Sequence, residues 1–144
     1  MVATGPLRGV VRPVVLSFGL GDDISFDRAM ISKYGAEVHG FDPTEESLAW
    51  LSTQELPKEM RVYPIGISNV DGNQRFALPE SEHRGNFSAK ASSGRSIELP
   101  VLRYSSIVSM LNLSRMDIVK LDVEGSEYEI IPDLLKAPVQ PAQL

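Results

Sequence analysis

Apolar positions along this chain form short runs separated by amphipathic stretches of helical length. Val14-Val15-Leu16-Ser17 is a continuous apolar run of the kind a parallel strand buried on both faces requires. It leads into Phe18-Gly19-Leu20-Gly21. Asp22, Asp23 and Ser25 then offer cap oxygens to a helix with the apolar stripe Phe26, Met30, Ile31 and Tyr34 and a stop at Gly35. Residues 37–41 predict a second strand, closed by Asp42 and Pro43. Thr44 heads a second helix bearing Leu48, Trp50 and Leu51, with Glu45 and Glu46 suited to the positive end of its dipole.

Residues 61–67 predict a third strand. Pro64 cannot donate to a ladder, so this strand belongs at a sheet edge, which agrees with an order of 3-2-1-4. Asp71-Gly72 is a hairpin signal that would return residues 74–78. Residues 79–96 are polar and rich in Gly and Ser, a loop long enough to carry function or remain disordered. A strand at 97–102 follows, then a helix capped by Ser105 or Ser106 and running through Leu111. A fourth core strand is expected at 117–123, and a helix at 126–135 that is interrupted or restarted at Pro132. The first 13 residues, punctuated by Gly and Pro, read as a flexible lead-in, and residues 14–144 as one domain.

Composition narrows the function classes. The formal net charge of −5, with basic residues scattered, argues against nucleic acid as a partner. The absence of cysteine excludes disulfides, thiolate metal sites and a cysteine nucleophile, and is compatible with a cytoplasmic protein. No apolar stretch approaches the roughly 20 residues that span a bilayer, so no membrane partner is expected.

Strand, glycine turn, helix and acid-ended strand together form the unit that holds a nucleotide-like ligand. Asp42 follows Gly19 by about the 20 residues at which an acid reaches ribose hydroxyls. Its bland role is to cap the helix starting near Thr44. Pro43 is placed to flank an adenine, or simply to stiffen the strand exit. Asp23 stands where the dinucleotide fingerprint has its third glycine, and Asp22 and Asp23 would repel a pyrophosphate. A ligand with cationic groups suits this turn better, which favours S-adenosylmethionine over a nicotinamide dinucleotide. In Lys120-Leu121-Asp122-Val123-Glu124-Gly125, the period of two puts Lys120, Asp122 and Glu124 on one face, aimed at the same crevice. Asp122 and Glu124 are the candidates to take a proton from an acceptor, with Mg²⁺ ligation as an alternative. The bland reading pairs Asp122 with Lys120 and leaves Glu124 as a helix cap. His39 reads as structural or exposed, and Trp50 as part of a helix face. His83 is a candidate base in the long loop, where Asn86, Phe87 and Ser88 also lie.

The blocks from Ser17 to Asp27, from Val38 to Pro43 and from Asp117 to Glu127 together resemble the FkbM family of S-adenosylmethionine-dependent methyltransferases. The Lys-x-Asp-x-Glu-Gly-x-Glu string is the most specific of the three. The resemblance implies an α/β fold of the Rossmann-like class I type and methyl transfer to a hydroxyl of a small molecule or saccharide. It implies a cofactor-binding set of Ser17, Gly19, Gly21, Asp42, Pro43, Gly66 and Ile67, with Asp122 and Glu124 catalytic and no metal. Ser17 departs from the common pattern, which has an acid two residues before the first glycine. A complete class I sheet has seven strands. After Leu135 only residues 139–144 remain, enough to begin a fifth, so the resemblance implies a sheet incomplete at its C-terminus. An exposed fourth strand would invite a homodimer. A domain that binds the cofactor without catalysis is the alternative, and a nicotinamide-dependent dehydrogenase the more distant one.

Overall fold

The computed structural model describes residues 7, 9–77, 96–123 and 125–144. Glu124, His83, Asn86, Phe87 and Ser88 lie outside the described residues. The elements run β1 (Val14–Phe18), α1 (Ser25–Tyr34), β2 (Glu37–Phe41), α2 (Glu45–Ser52), β3 (Met60–Tyr63), β4 (Gly66–Ile67), β5 (Gly72–Ala77), β6 (Ser96–Leu102), α3 (Tyr104–Met110), β7 (Met116–Leu121), α4 (Glu127–Lys136) and β8 (Pro141–Gln143).

Five strands form a parallel sheet in the order β3-β2-β1-β7-β8. This is the expected 3-2-1-4 arrangement, with the short fifth strand β8 added beside β7. Both faces of a parallel sheet need cover, because right-handed crossovers place helices on each side. On one face Val15, Val38 and Ile118 pack with Leu20, Ile24, Met30 and Leu51, the side of α1 and α2. On the other, Leu16, Phe18, Phe41 and Val119 pack with Tyr104, Ile107, Ile130 and Leu134, the side of α3 and α4. Leu7 is buried in the first cluster, and the Pro13 carbonyl accepts the Glu37 N–H.

The third strand differs from its expected course. It stops at Tyr63, before Pro64, and Gly66–Ile67 leaves for a second sheet of order β4-β6-β5. Proline ends the ladder because it has no N–H to offer. The Asp71-Gly72 turn does not fold β5 back onto β3. Instead β6 lies between β4 and β5, parallel to the first and antiparallel to the second. The β5–β6 register runs from Gly72↔Val101 to Ala77↔Ser96, a far longer ladder than the two residues of β4 could supply.

Two helix starts also differ. Residue Arg103 occupies the cap position of α3, and Ser105 and Ser106 lie inside the helix. Ser105 bonds Asp133 through both its N–H and its hydroxyl, tying α3 to α4, and the Ser106 hydroxyl donates to Asp71. Thr44 holds the cap position of α2, but its hydroxyl donates to Asp42. Helix α4 runs through Pro132 without a break.

Asp71 anchors the small sheet. It accepts the Arg103 N–H at 2.8 Å, and Arg103 Nε and Nη2 at 3.0 and 2.8 Å. The Arg103 N–H bond, then its guanidinium, hold the Asp71 carboxyl below the ordinary value of 3.8. A carboxylate depressed in this way stabilises the fold above its unfolded pKa, and that contribution is lost as pH falls through the folded value. Amide hydrogen exchange in β5 and β6 is therefore expected to hold its protection at neutral pH and to lose it on acidification below 3.8. Asp71→Asn should weaken protection at neutral pH and flatten that acid limb. An unchanged profile in the variant would remove Asp71 as the anchor.

Candidate functional site

Strand order reverses between β1 and β7, and ligands of such sheets bind outside the carboxyl ends at that point. A crevice of about 340 Å³ opens there, at the lower end of the usual range for ligand pockets. The turn from Gly19 to Asp23 forms its floor, and Asp42 and Pro43 its β2 side. Gly66, Ile67, Phe76 and Leu99 of the small sheet supply an apolar wall, and Lys120 and Asp122 close the β7 side.

The turn is built on two left-handed glycines. Gly19, at φ 74°, donates its N–H to the Phe41 carbonyl at 3.0 Å. A Cβ there would lie 1.9 Å from the Asp122 carbonyl oxygen, so only glycine lets β1 exit this close to β7. Gly21, at φ 54°, has open space around its Cα. Its N–H donates to Asp42 Oδ2 at 3.0 Å, and its carbonyl accepts the Ser47 hydroxyl at 2.8 Å. Asp42 Oδ1 takes the Thr44 N–H at 2.9 Å and the Thr44 hydroxyl at 2.6 Å. One carboxylate thus clasps the glycine turn to the start of α2. Three donors leave it with spare acceptor capacity on the crevice side.

The β7 side is held just as closely. The Asp122 N–H donates to the Phe18 carbonyl, and Lys120 Nζ donates to the Gly19 carbonyl at 3.3 Å. Lys120 Nζ also lies 3.6 Å from Asp122 Oδ2, so the pairing read from the strand alternation is present. Asp122 remains 68% exposed, open to a bound molecule. Among the described residues, the carboxyl-bearing Asp22, Asp23, Asp42 and Asp122 line the crevice against the one ammonium of Lys120. The Ser25 N–H bonded to Asp23 Oδ1 holds that carboxyl below its ordinary value. Such a lining attracts positive charge and repels phosphate.

Of the candidate residues, Gly19, Gly21, Asp42, Pro43, Gly66, Ile67 and Asp122 converge on this crevice. Ser17 does not reach its wall. It is fully buried beneath the turn, facing α1, and its hydroxyl makes no hydrogen bond of good geometry. His39 is also away from the crevice, buried with Nδ1 at 3.1 Å from the Tyr63 hydroxyl. Burial lowers its pKa, against the opposing pull of Glu37. Trp50 packs on the first-face cluster as a helix-face residue. Among the described residues, no three His, Asp or Glu side chains converge as a metal site. Phe76 and Leu99 were absent from the sequence reading, because their wall exists only once β5 and β6 pair. Asp27 was also missed, although it stands one turn before Met30 on the apolar stripe of α1.

The fold and crevice define a Rossmann-type α/β domain with a glycine turn and a strand-end acid at the sheet's switch point. Residues 11–142 match the family described as the methyltransferase FkbM domain, and the chain belongs to that family. Neither a curated protein nor a solved structure matches the chain significantly. Among the described residues, no helix is long and apolar enough to cross a membrane.

The two glycines of the turn should respond differently to a methyl group. Gly19→Ala combines a left-handed backbone with a clash against the Asp122 carbonyl, and is expected to cost about 3 kcal/mol or more. Gly21→Ala carries the conformational penalty alone, about 1–2 kcal/mol. Urea unfolding of both variants measures this. Equal losses would mean that the β1–β7 approach is not what requires Gly19.

Proposed function

We propose that this methyltransferase domain binds S-adenosylmethionine in the crevice and transfers its methyl group to a hydroxyl oxygen of a small molecule or saccharide. The observation that carries the reading is the Asp42 carboxylate, held on the glycine turn at the switch point with an acceptor site to spare. The crevice chemistry fits the cofactor: four carboxylates suit a molecule bearing a sulfonium and an ammonium, and the wall of Gly66, Ile67 and Leu99 suits a flat base. When bound, the cofactor supplies an electrophilic methyl carbon.

In this reading Asp42 accepts the ribose hydroxyls, while Gly19 and Gly21 admit the ligand close to the backbone. Pro43, with Gly66 and Ile67, flanks the adenine. Transfer of this kind depends chiefly on aligning nucleophile and methyl in a dry site, which the apolar wall favours. Asp122, exposed at the rim, takes the proton of the acceptor hydroxyl, and Glu124 is the second candidate for that task. Binding without turnover is the alternative reading. A nicotinamide dinucleotide fits poorly, since Asp22 and Asp23 stand where its pyrophosphate would sit.

Isothermal titration of S-adenosylhomocysteine into the wild-type chain tests the reading. Asp42→Asn keeps the size of the side chain but turns one acceptor oxygen into a donor, so it loses either the Gly21 or the Thr44 arm of the clasp together with an acceptor for the ribose. Losing hydrogen bonds to a charged group, worth about 1.5–3 kcal/mol, corresponds to a roughly 10- to 100-fold weaker Kd. No binding by the wild type, or tighter binding of NADH, would overturn the cofactor assignment. Binding without methylation across a panel of hydroxyl acceptors would favour the non-catalytic alternative.

A further inference from the structure

The crevice is lined by acids, yet one of its residues carries the opposite charge. Lys120 is the one cation among the described crevice residues, set against Asp22, Asp23, Asp42 and Asp122. It stands on β7 opposite Ser17 of β1 in the parallel ladder, two residues from the first glycine of the turn on that partner strand. Its side chain is 25% exposed, so the ammonium is partly withdrawn from water and still open to a ligand. Charge attraction at such a position exceeds that at an open surface.

Its partners leave it capacity. An ammonium has three donors. The Gly19 carbonyl takes one, at 3.3 Å. Asp122 Oδ2 lies 3.6 Å away, a charge pair longer than a hydrogen bond. The backbone of the turn is more fully committed. At glycine turns ahead of a helix, N–H groups ordinarily receive the negative part of a ligand. Here the Gly19 N–H goes to the Phe41 carbonyl, the Gly21 N–H to Asp42 and the Asp23 N–H to the Leu20 carbonyl. The Ser25 N–H, at the start of α1, goes to Asp23. With these four donors spent, Lys120 is the group in the crevice best able to hold an anion.

We propose that Lys120 reads the carboxylate of the ligand's amino-acid tail, so that the crevice selects nucleosides bearing an α-amino acid over nucleosides that lack the acid. The inference deepens the S-adenosylmethionine reading and rests on it. The tail of that cofactor carries an ammonium and a carboxylate. The acids of the crevice suit the first, and Lys120 suits the second. Without the lysine, the same acids would repel the carboxylate.

Isothermal titration of three nucleosides tests this: S-adenosylhomocysteine, its decarboxylated analogue, which keeps the ammonium, and 5′-methylthioadenosine, which keeps neither charge. The wild type is expected to bind S-adenosylhomocysteine roughly 10- to 100-fold more tightly than the decarboxylated analogue, the range for a hydrogen bond between charged groups. Lys120→Met should cut that preference to less than about twofold, while Lys120→Arg keeps most of it. Binding of 5′-methylthioadenosine should stay within about twofold of wild type in both variants, which separates reading the carboxylate from support of the turn. If Lys120→Met does not fold, the uncharged Lys120→Gln replaces it.

A wild type that binds the first two compounds equally overturns the proposal, and that comparison needs no variant. So does a Lys120→Met chain that weakens all three alike, because the lysine then only supports the turn. Tighter binding of adenosine 5′-monophosphate than of S-adenosylhomocysteine overturns it too, since the lysine then takes a phosphate. Binding of 5′-methylthioadenosine with no gain from the acid is a failure of this proposal alone. Binding of none of the three is a failure of the cofactor reading, and the proposal falls with it.

Discussion

Everything at the candidate site hangs on how closely the chain leaving β1 passes the end of β7. The Gly19 Cα sits where any side chain would run into the Asp122 carbonyl. This contact joins two strands whose crossovers leave in opposite directions, and the crevice is the space those departures leave behind. It also explains why Gly19 is a packing requirement and Gly21 a conformational one. The first makes room for a neighbouring strand; the second lets the turn present its N–H to Asp42.

Electrostatics then give the crevice its character. Asp42 is held by three donors, so its geometry is set before any ligand arrives, which is the form of preorganisation a binding site needs. Asp22, Asp23 and Asp122 add charge at the rim, and Lys120 is the lone cation among the crevice residues described. It donates to the Gly19 carbonyl and lies 3.6 Å from Asp122 Oδ2, so it ties the turn to the end of β7.

The second sheet is a consequence of one proline. Pro64 ends β3, the backbone turns out of the main sheet, and Gly66–Ile67 pairs with β6 instead. That departure brings Phe76 and Leu99 over the crevice and gives an otherwise acidic site an apolar wall. Gly66 packs against Pro43, where a Cβ would come within 3.1 Å of the proline ring, so the small sheet is seated directly on the β2 exit. The Asp71–Arg103 pair secures that same end, where β5 begins and β6 stops.

By itself the sequence determined the local units: β1, β2 and β7 as apolar runs, the helices between them, the two-glycine turn and the acid that follows it at a fixed distance. These rest on periodicity and on backbone preferences of neighbouring residues, which are readable without knowing what packs where. The strand order was legible as well, because short parallel crossovers of fixed hand leave few arrangements. Only the tertiary structure decided the partner of β5, which lies well beyond it in the chain, and the direction in which Ser17 faces. It alone brought Phe76 and Leu99 to the crevice, on two strands remote in the chain from the glycine turn. Pairings of that kind are set by the competition of many distant surfaces for burial, and no short window of sequence contains both competitors.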